Sequence, residues 1–209
     1  RGVFGSHVAV LLRRLLRIAE HYGARVRVVG ASATSAEPAE TFSRLTGRDT
    51  QAVTHDTSAT GETTVVLWEP PLTDRRGENG VFLRRSLVAE TADLMANLVS
   101  GHVRTLAFIR SRRGAEAISD SARRLLEEVD ESLPRRIAAY RSGYLPQERR
   151  ALEDALRAGE LLGVASTSAL ELGIDISGLD AVLVAGWPGT RASFFQQIGR
   201  AGRGGQDSL

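Results

Sequence analysis

Short apolar runs alternate with stretches of helical periodicity along most of the 209 residues, and that alternation confines the chain to a small set of folds. Thr105 to Ile109 is apolar without a break between Arg104 and Arg110, the pattern of a strand covered on both faces. Ile137 to Tyr140, Leu161 to Ala165 and Ala181 to Ala185 read as further strands. Helical stripes separate them: Leu87, Val88, Thr91, Leu94, Met95, Leu98 and Val99, then Ile118, Ala122, Leu125, Leu126 and Val129. A third helix opens at Pro146, runs through Leu156 and closes at Gly159. Strands returning through helices require a parallel sheet with right-handed crossovers and helices on both faces, so an α/β fold is expected. Such sheets bind ligands at the carboxyl ends of their strands.

The first 35 residues form a separate unit in this reading. Ser6 to Tyr22 is an amphipathic helix whose stripe of Val8, Leu11, Leu12, Leu15, Ala19 and Tyr22 should pack on a core. Gly23 stops it, Arg25 to Val29 reads as a strand, and Gly30 to Thr34 as a small-residue turn. Residues 36–61 lose periodicity and are expected to be a linker, with Phe42 and Leu45 marking one docked helical turn. Residues 62–209 then make the second domain. Within it Thr63 to Trp68 is expected as a strand and Asp74 to Gly80 as an exposed loop.

Composition removes several functions. No apolar run approaches the roughly 20 residues that span a bilayer, and the start carries no signal-peptide pattern, so no membrane partner and a cytoplasmic address are expected. There is no cysteine, and His7, His21, His55 and His102 lack metal-ligand spacing; no metal site is expected. A net charge of +2 is too small to argue for nucleic acid. All 27 basic residues are arginine, and the absence of lysine excludes a Walker A loop, whose lysine reaches the β- and γ-phosphates. Asp130-Glu131 follows an amphipathic helix rather than a buried strand and is rejected as a Mg²⁺ site.

Two segments carry candidate chemistry. In Gln196-Gln197-Ile198-Gly199-Arg200-Ala201-Gly202-Arg203 two arginines stand three apart, which on a helical turn aims both guanidinium groups the same way. Planar, permanently charged forks suit phosphate oxygens; the competing reading is a flexible glycine/arginine tail. Ser166 to Asp175 follows a buried strand, so its hydroxyls and amides should emerge at the carboxyl edge. There Asp175, held by a turn at Gly173, is a candidate acceptor for a ribose hydroxyl, although taken on its own it reads better as an ordinary capping aspartate, and Thr167 likewise reads as a cap of the helix that follows.

Taken together these segments resemble superfamily-two helicases. Gly30-Ala31-Ser32-Ala33-Thr34 is similar to motif III, Thr105 to Glu116 to motif IV, Ser166 to Asp175 to motif V and Gln196 to Arg203 to motif VI, in the right order over nearly the whole chain. RGVFGSHVA at the start, LWEPP at Leu67 to Pro71, YRSGYLPQERR at Tyr140 to Arg150 and ELGIDISGLDAVLVAGWPGT at Glu171 to Thr190 resemble the bacterial DExH helicases of the mitomycin-repair type, the DUF1998-containing relatives of the RecQ branch.

The resemblance implies a fragment of an ATP-dependent DNA helicase. It would comprise the end of one RecA-like domain (1–35) and a second RecA-like domain (62–209), beginning just after a DExH box and stopping before a C-terminal region. It implies that Arg200 and Arg203 contact the γ-phosphate of ATP bound to the preceding domain, with Arg203 the arginine finger. Gln196 joins that network, and Gly173 and Asp175 line its nucleotide side. Thr167, Ser111, Arg112 and Arg141 would touch phosphates of the tracking strand, and Ser32 and Thr34 would belong to the coupling hinge. ATP and Mg²⁺ are the implied cofactors, with the Mg²⁺ ligands outside this chain. The implied partners are single-stranded or partly duplex DNA and the first RecA-like domain of the same protein, with use in DNA repair. An RNA helicase or other translocase, and a non-catalytic nucleic-acid-binding module, stay open as alternatives.

Overall fold

Side chains along neighbouring strands alternate between two apolar cores, and this alternation builds the sheet of the larger part of the molecule. The computed structural model describes residues 2–32, 35–55, 57, 61–171, 176, 178–203 and 205–209. It divides into two compact units, Arg1–Ser58 and Ala59–Leu209.

In the first unit α1 (Gly2–His21) packs against α2 (Pro38–Thr46). α2 begins with proline in its first turn and ends at Gly47 in the left-handed conformation, so the expected single turn is a nine-residue helix. The face of α1 that α2 covers centres on Leu16, whereas Leu11, Leu15 and Tyr22 of the expected core stripe are exposed. No strand forms over 25–29, because among the described residues nothing offers that segment a ladder. The Phe42 ring lies directly on Gly30: a Cβ there would stand 2.2 Å from Cε2, so a side chain at this position would require the ring to move.

The second unit holds a four-stranded parallel sheet in the order β4-β5-β3-β6, formed by β3 (Thr105–Ile109), β4 (Ile137–Tyr140), β5 (Gly163–Ser166) and β6 (Ala181–Ala185). On one face Ala107, Ile137 and Ala165 meet Ala92, Met95, Ala96 and Val99 of α3 (Leu87–Ser100) and Ala115, Ile118, Ala122 and Leu126 of α4 (Arg112–Glu127). On the other, Leu106, Phe108, Ala138, Tyr140 and Val164 meet Leu156 of α5 (Pro146–Arg157) and Leu170, Ile176 and Leu179. Residues one apart on a strand thus feed opposite cores. Caps sharpen the helix starts: Ser86, Ser111 and Thr190 accept from Ala89, Gly114 and Ser193 amides at 3.2, 3.0 and 3.0 Å.

Two expectations for the start of this unit do not hold. Thr63 to Trp68 is not a strand; only Thr63 pairs, in a bridge to Ser208. The expected loop at Asp74 to Gly80 is the first arm and turn of an antiparallel hairpin, β1 (Leu72–Arg76) with β2 (Phe82–Arg84). The hairpin is tied to α3 at its base, where buried Glu90 accepts from Trp68 Nε1 at 2.8 Å and Arg85 Nη1 at 3.3 Å. Last in the chain, α6 (Arg191–Ile198) follows β6. Among the described residues no helix is long and apolar enough to cross a membrane.

Tyr140 closes β4 with its hydroxyl donating to Glu153 Oε1 at 2.7 Å. Burial first, and then this bond, push its phenol up to about 12. An unfolded tyrosine ionises near pH 10, so the stabilisation is complete below that and is lost as pH rises through about 12. Tyr140→Phe is expected to lower unfolding free energy at neutral pH by about 1 kcal/mol. In urea denaturation the gap to wild type should then close across that alkaline window; a gap of constant size there would contradict the buried-phenol account.

Candidate functional site

Because all four strands run the same way, the loops that leave them gather on one edge. At that edge Tyr140, Ser166, Phe108 and Val184 lie in register across β4, β5, β3 and β6. With about 4.8 Å between strands, the whole rim is only about 14 Å wide. Residues as far apart in sequence as Phe108 and Gln197 meet at it.

The half of the rim at β4, β5 and β3 is cationic and hydroxylic. Ser111 caps α4, and Arg112 Nη2 donates to Ser142 Oγ at 3.0 Å. Arg141 pairs through Nε with Glu116 at 2.7 Å and lies 4.9 Å from the centre of the Tyr144 ring, whose hydroxyl donates to the Ala139 carbonyl at 3.3 Å. A Cβ placed on Gly143 would have Arg141 Nη1 at 3.5 Å and Arg112 Nη1 at 4.0 Å. Two guanidinium groups thus converge on one exposed point, one of them already paired with the Glu116 carboxylate. Thr167 directly follows β5; its side chain makes no capping bond to the turn it precedes, so it does not act as a cap there.

The other half, toward β6, is built around one acidic residue. After β5 a short 3₁₀ turn, Ser168–Leu170, leads to Glu171, which is 8% exposed. Its Oε2 accepts from Gln197 Nε2 at 2.9 Å, and its backbone carbonyl accepts from Arg200 Nη2. Gln197 is the buried glutamine of the pair, while Gln196 is half-buried. The Gln197 Oε1 atom is buried with no hydrogen-bond partner among the described residues, so the amide is oriented by Glu171. A cavity of about 410 Å³ opens here, lined by Phe108, Arg110, Ser168, Glu171, Ser193 and Gln197.

The two arginines do not point the same way, contrary to the helical-turn reading. α6 ends at Ile198, and the segment turns at Gly202, whose φ is +72° and whose amide donates to the Leu179 carbonyl at 3.0 Å. Arg200 is thereby buried, at 2% exposure, and Arg203 exposed, with its Nε donating to the Gly199 carbonyl at 2.8 Å. Gly173, Asp175 and Thr34 lie outside the described residues. Ser32 is an exposed residue of irregular backbone in the first unit. Among the described residues no group of three or more histidine, aspartate or glutamate side chains is placed to hold a metal.

A larger cavity, of about 670 Å³, lies along the outer edge of β6, walled by Trp68, Leu98, Val184, Trp187 and Phe194. Its lining is largely apolar, with Glu90 at one wall and no arginine among the described residues that line it, which sets it apart from the cationic half of the rim. Glu171, Gln197 and Tyr144 were not singled out by sequence reasoning. The first two stand 26 residues apart and only the fold pairs them; Tyr144 offered a signal, an aromatic among Arg141, Ser142 and Gly143 just past a strand.

A parallel sheet with arginines gathered at its carboxyl rim and a second small unit ahead of it defines the class of RecA-like motor domains. Residues 89–205 match the helicase conserved C-terminal domain, and the chain belongs to that family. It is 42% identical over 209 residues to the uncharacterized ATP-dependent helicase YprA of Bacillus subtilis, covering 100% of this chain and 27% of that one. It is 38% identical to the ATP-dependent helicase hrq1 of Schizosaccharomyces pombe, covering 100% of this chain and 20% of the relative. The crystal structure of the DUF1998 helicase MrfA bound to DNA and AMPPNP superposes with a TM-score of 0.89 at 42% identity, over 100% of this chain and 28% of that one. The chain therefore spans about a quarter of the length of the relatives it matches.

The turn at Gly202 is a strained position for any side chain: the conformation is left-handed and a Cβ would stand 2.7 Å from Ser208 Oγ. Gly202→Ala is expected to destabilise the chain by about 1–2 kcal/mol. Thermal denaturation checks it; an unchanged transition would mean that the turn adopts another conformation.

Proposed function

We propose that this chain is the second lobe of an ATP-driven DNA helicase. In this reading it presents Arg203 to a triphosphate gripped by another part of the parent polypeptide and holds the DNA backbone on the β4–β5–β3 half of its rim. The observation that carries the reading is the opposite fate of the two arginines of one motif: Arg200 is buried against Glu171, Arg203 exposed beside it. An arginine supplied across a domain interface neutralises charge that develops on a transferring phosphoryl group and accelerates the transfer by roughly 10³ to 10⁵. Arg203 is already oriented through Nε, so little ordering remains when it engages.

Hydrolysis of ATP supplies the free energy. The chain's own share is the arginine, the buried glutamine and glutamate behind it, and the phosphate seats at Thr167, Ser111, Arg112 and Arg141. Gln196, Gly173 and Asp175 belong to the nucleotide side, and Ser32 and Thr34 to the coupling hinge, in the same reading. The Mg²⁺ ligands belong, in the same reading, to the lobe that grips the triphosphate. DNA is preferred over RNA as the track because the MrfA structure holds DNA. We extend the reading to DNA repair in the cytoplasm on the resemblance to mitomycin-repair helicases.

In the full-length enzyme Arg203→Ala should reduce DNA-stimulated ATP hydrolysis by about 10³-fold or more while leaving DNA binding intact. Wild-type turnover in that variant removes the finger assignment. The pair Arg112→Ala and Arg141→Ala should instead weaken single-stranded DNA binding and lower the slope of log affinity against log salt by about 1.4 for the loss of two phosphate contacts. Stronger stimulation by single-stranded RNA than by DNA would move the track to RNA.

A further inference from the structure

Glu171 is tied to the end of α6 twice, by different atoms. Its carboxylate holds the Gln197 amide at 2.9 Å, and its backbone carbonyl holds the Arg200 guanidinium. All three residues are more than nine-tenths buried. Gln197 lies in the last turn of α6, and Arg200 lies two residues past its end. The Gly202 turn that throws Arg203 outward begins immediately after.

We propose that Glu171 is a positioning residue for Arg203: by gripping Gln197 and Arg200 it fixes the end of α6, and so fixes where the Gly202 turn delivers the exposed guanidinium. This rests on the reading of Arg203 as the group that meets the triphosphate. The buried Gln197 Oε1 has no partner among the described residues, so the bond from Nε2 to the carboxylate is what orients that side chain. The same residue continues the Ser168–Leu170 turn, which starts at Thr167. One turn of backbone thus connects the proposed DNA-phosphate seat to the residue that places the arginine. Displacement of a catalytic group by about 1 Å can cost on the order of 100-fold in rate, so a loosened α6 end should be visible in turnover.

The test is a reciprocal exchange in the full-length enzyme. Glu171→Ala removes the carboxylate, Gln197→Glu sets two carboxylates against each other, and the double variant Glu171→Gln with Gln197→Glu restores an amide-to-carboxylate bond of opposite polarity. All three keep the residue 171 carbonyl for Arg200. The single variants should lower kcat of DNA-stimulated ATP hydrolysis by about 10- to 100-fold, with KM for ATP and DNA affinity within about threefold of wild type. The exchange should recover kcat to within about threefold. A purely structural role would lower the melting temperature and shift KM along with kcat.

Should Glu171→Ala fail to fold, the exchange measured against Gln197→Glu alone carries the test. Single variants with wild-type kcat, or an exchange no better than Gln197→Glu, overturn the proposal. Arg203→Ala run alongside separates the two readings. If it keeps full activity, the finger assignment fails; if it is inactive while the Glu171 variants are not, only the positioning role fails.

Discussion

Parallel pairing of β4, β5, β3 and β6 is the constraint from which the rest follows. A parallel strand cannot be reached by a tight turn, so each connection crosses a face of the sheet and returns the chain to the same starting edge. The crossovers supply the two layers of cover that a sheet apolar on both faces needs. They also leave every outgoing loop on the opposite edge. Ser111, Arg141, Thr167 and Glu171 become neighbours for that reason alone, with no sequence proximity to help them.

Burial sorts the two arginines that follow α6. Taking a guanidinium out of water costs several kcal/mol unless its donors are satisfied, so a buried arginine is committed to the partners that bury it. Arg200, donating to the Glu171 carbonyl at 2% exposure, is of this kind. Arg203 is exposed, and the cost of moving it from its present partner to a phosphate is small. The spacing of three that would make the two equivalent on a helix is broken by Gly202, because the turn takes the second arginine off the helical path.

How much of this was legible in the sequence depends on what each element needs. Thr105 to Ile109, Ile137 to Tyr140 and Ala181 to Ala185 are strands as read, because unbroken apolarity reports burial on both faces directly. Arg25 to Val29 and Thr63 to Trp68 are richer in β-branched residues and fail, since propensity says that a segment fits a sheet and not that a partner strand exists. The Leu72–Arg76 arm was hidden by polar residues that suit a hairpin exposed on both sides. Motif order disclosed the site to within a few residues, yet it directed attention to Gln196 where the fold buries Gln197. It also gave no reason to connect Glu171 with α6, since a contact across 26 residues has no periodic trace.

The same sorting applies to the cationic half of the rim. Arg141 and Glu116 form their pair with side chains 32% and 43% exposed, and such surface pairs contribute about 0–1 kcal/mol. Arg112 is held by a single neutral hydroxyl, that of Ser142. Neither arrangement can compete with a phosphate that meets two converging guanidinium groups at once, so a nucleic-acid backbone would displace both at little cost. The Glu171 junction is the reverse: its bonds are buried, and breaking them leaves a carboxylate, an amide and a guanidinium desolvated together. In the proposed function a strand would load and leave the first half repeatedly while the second half keeps its geometry, which is what a lobe must do if it is to track DNA and still present an arginine in the same place at every cycle.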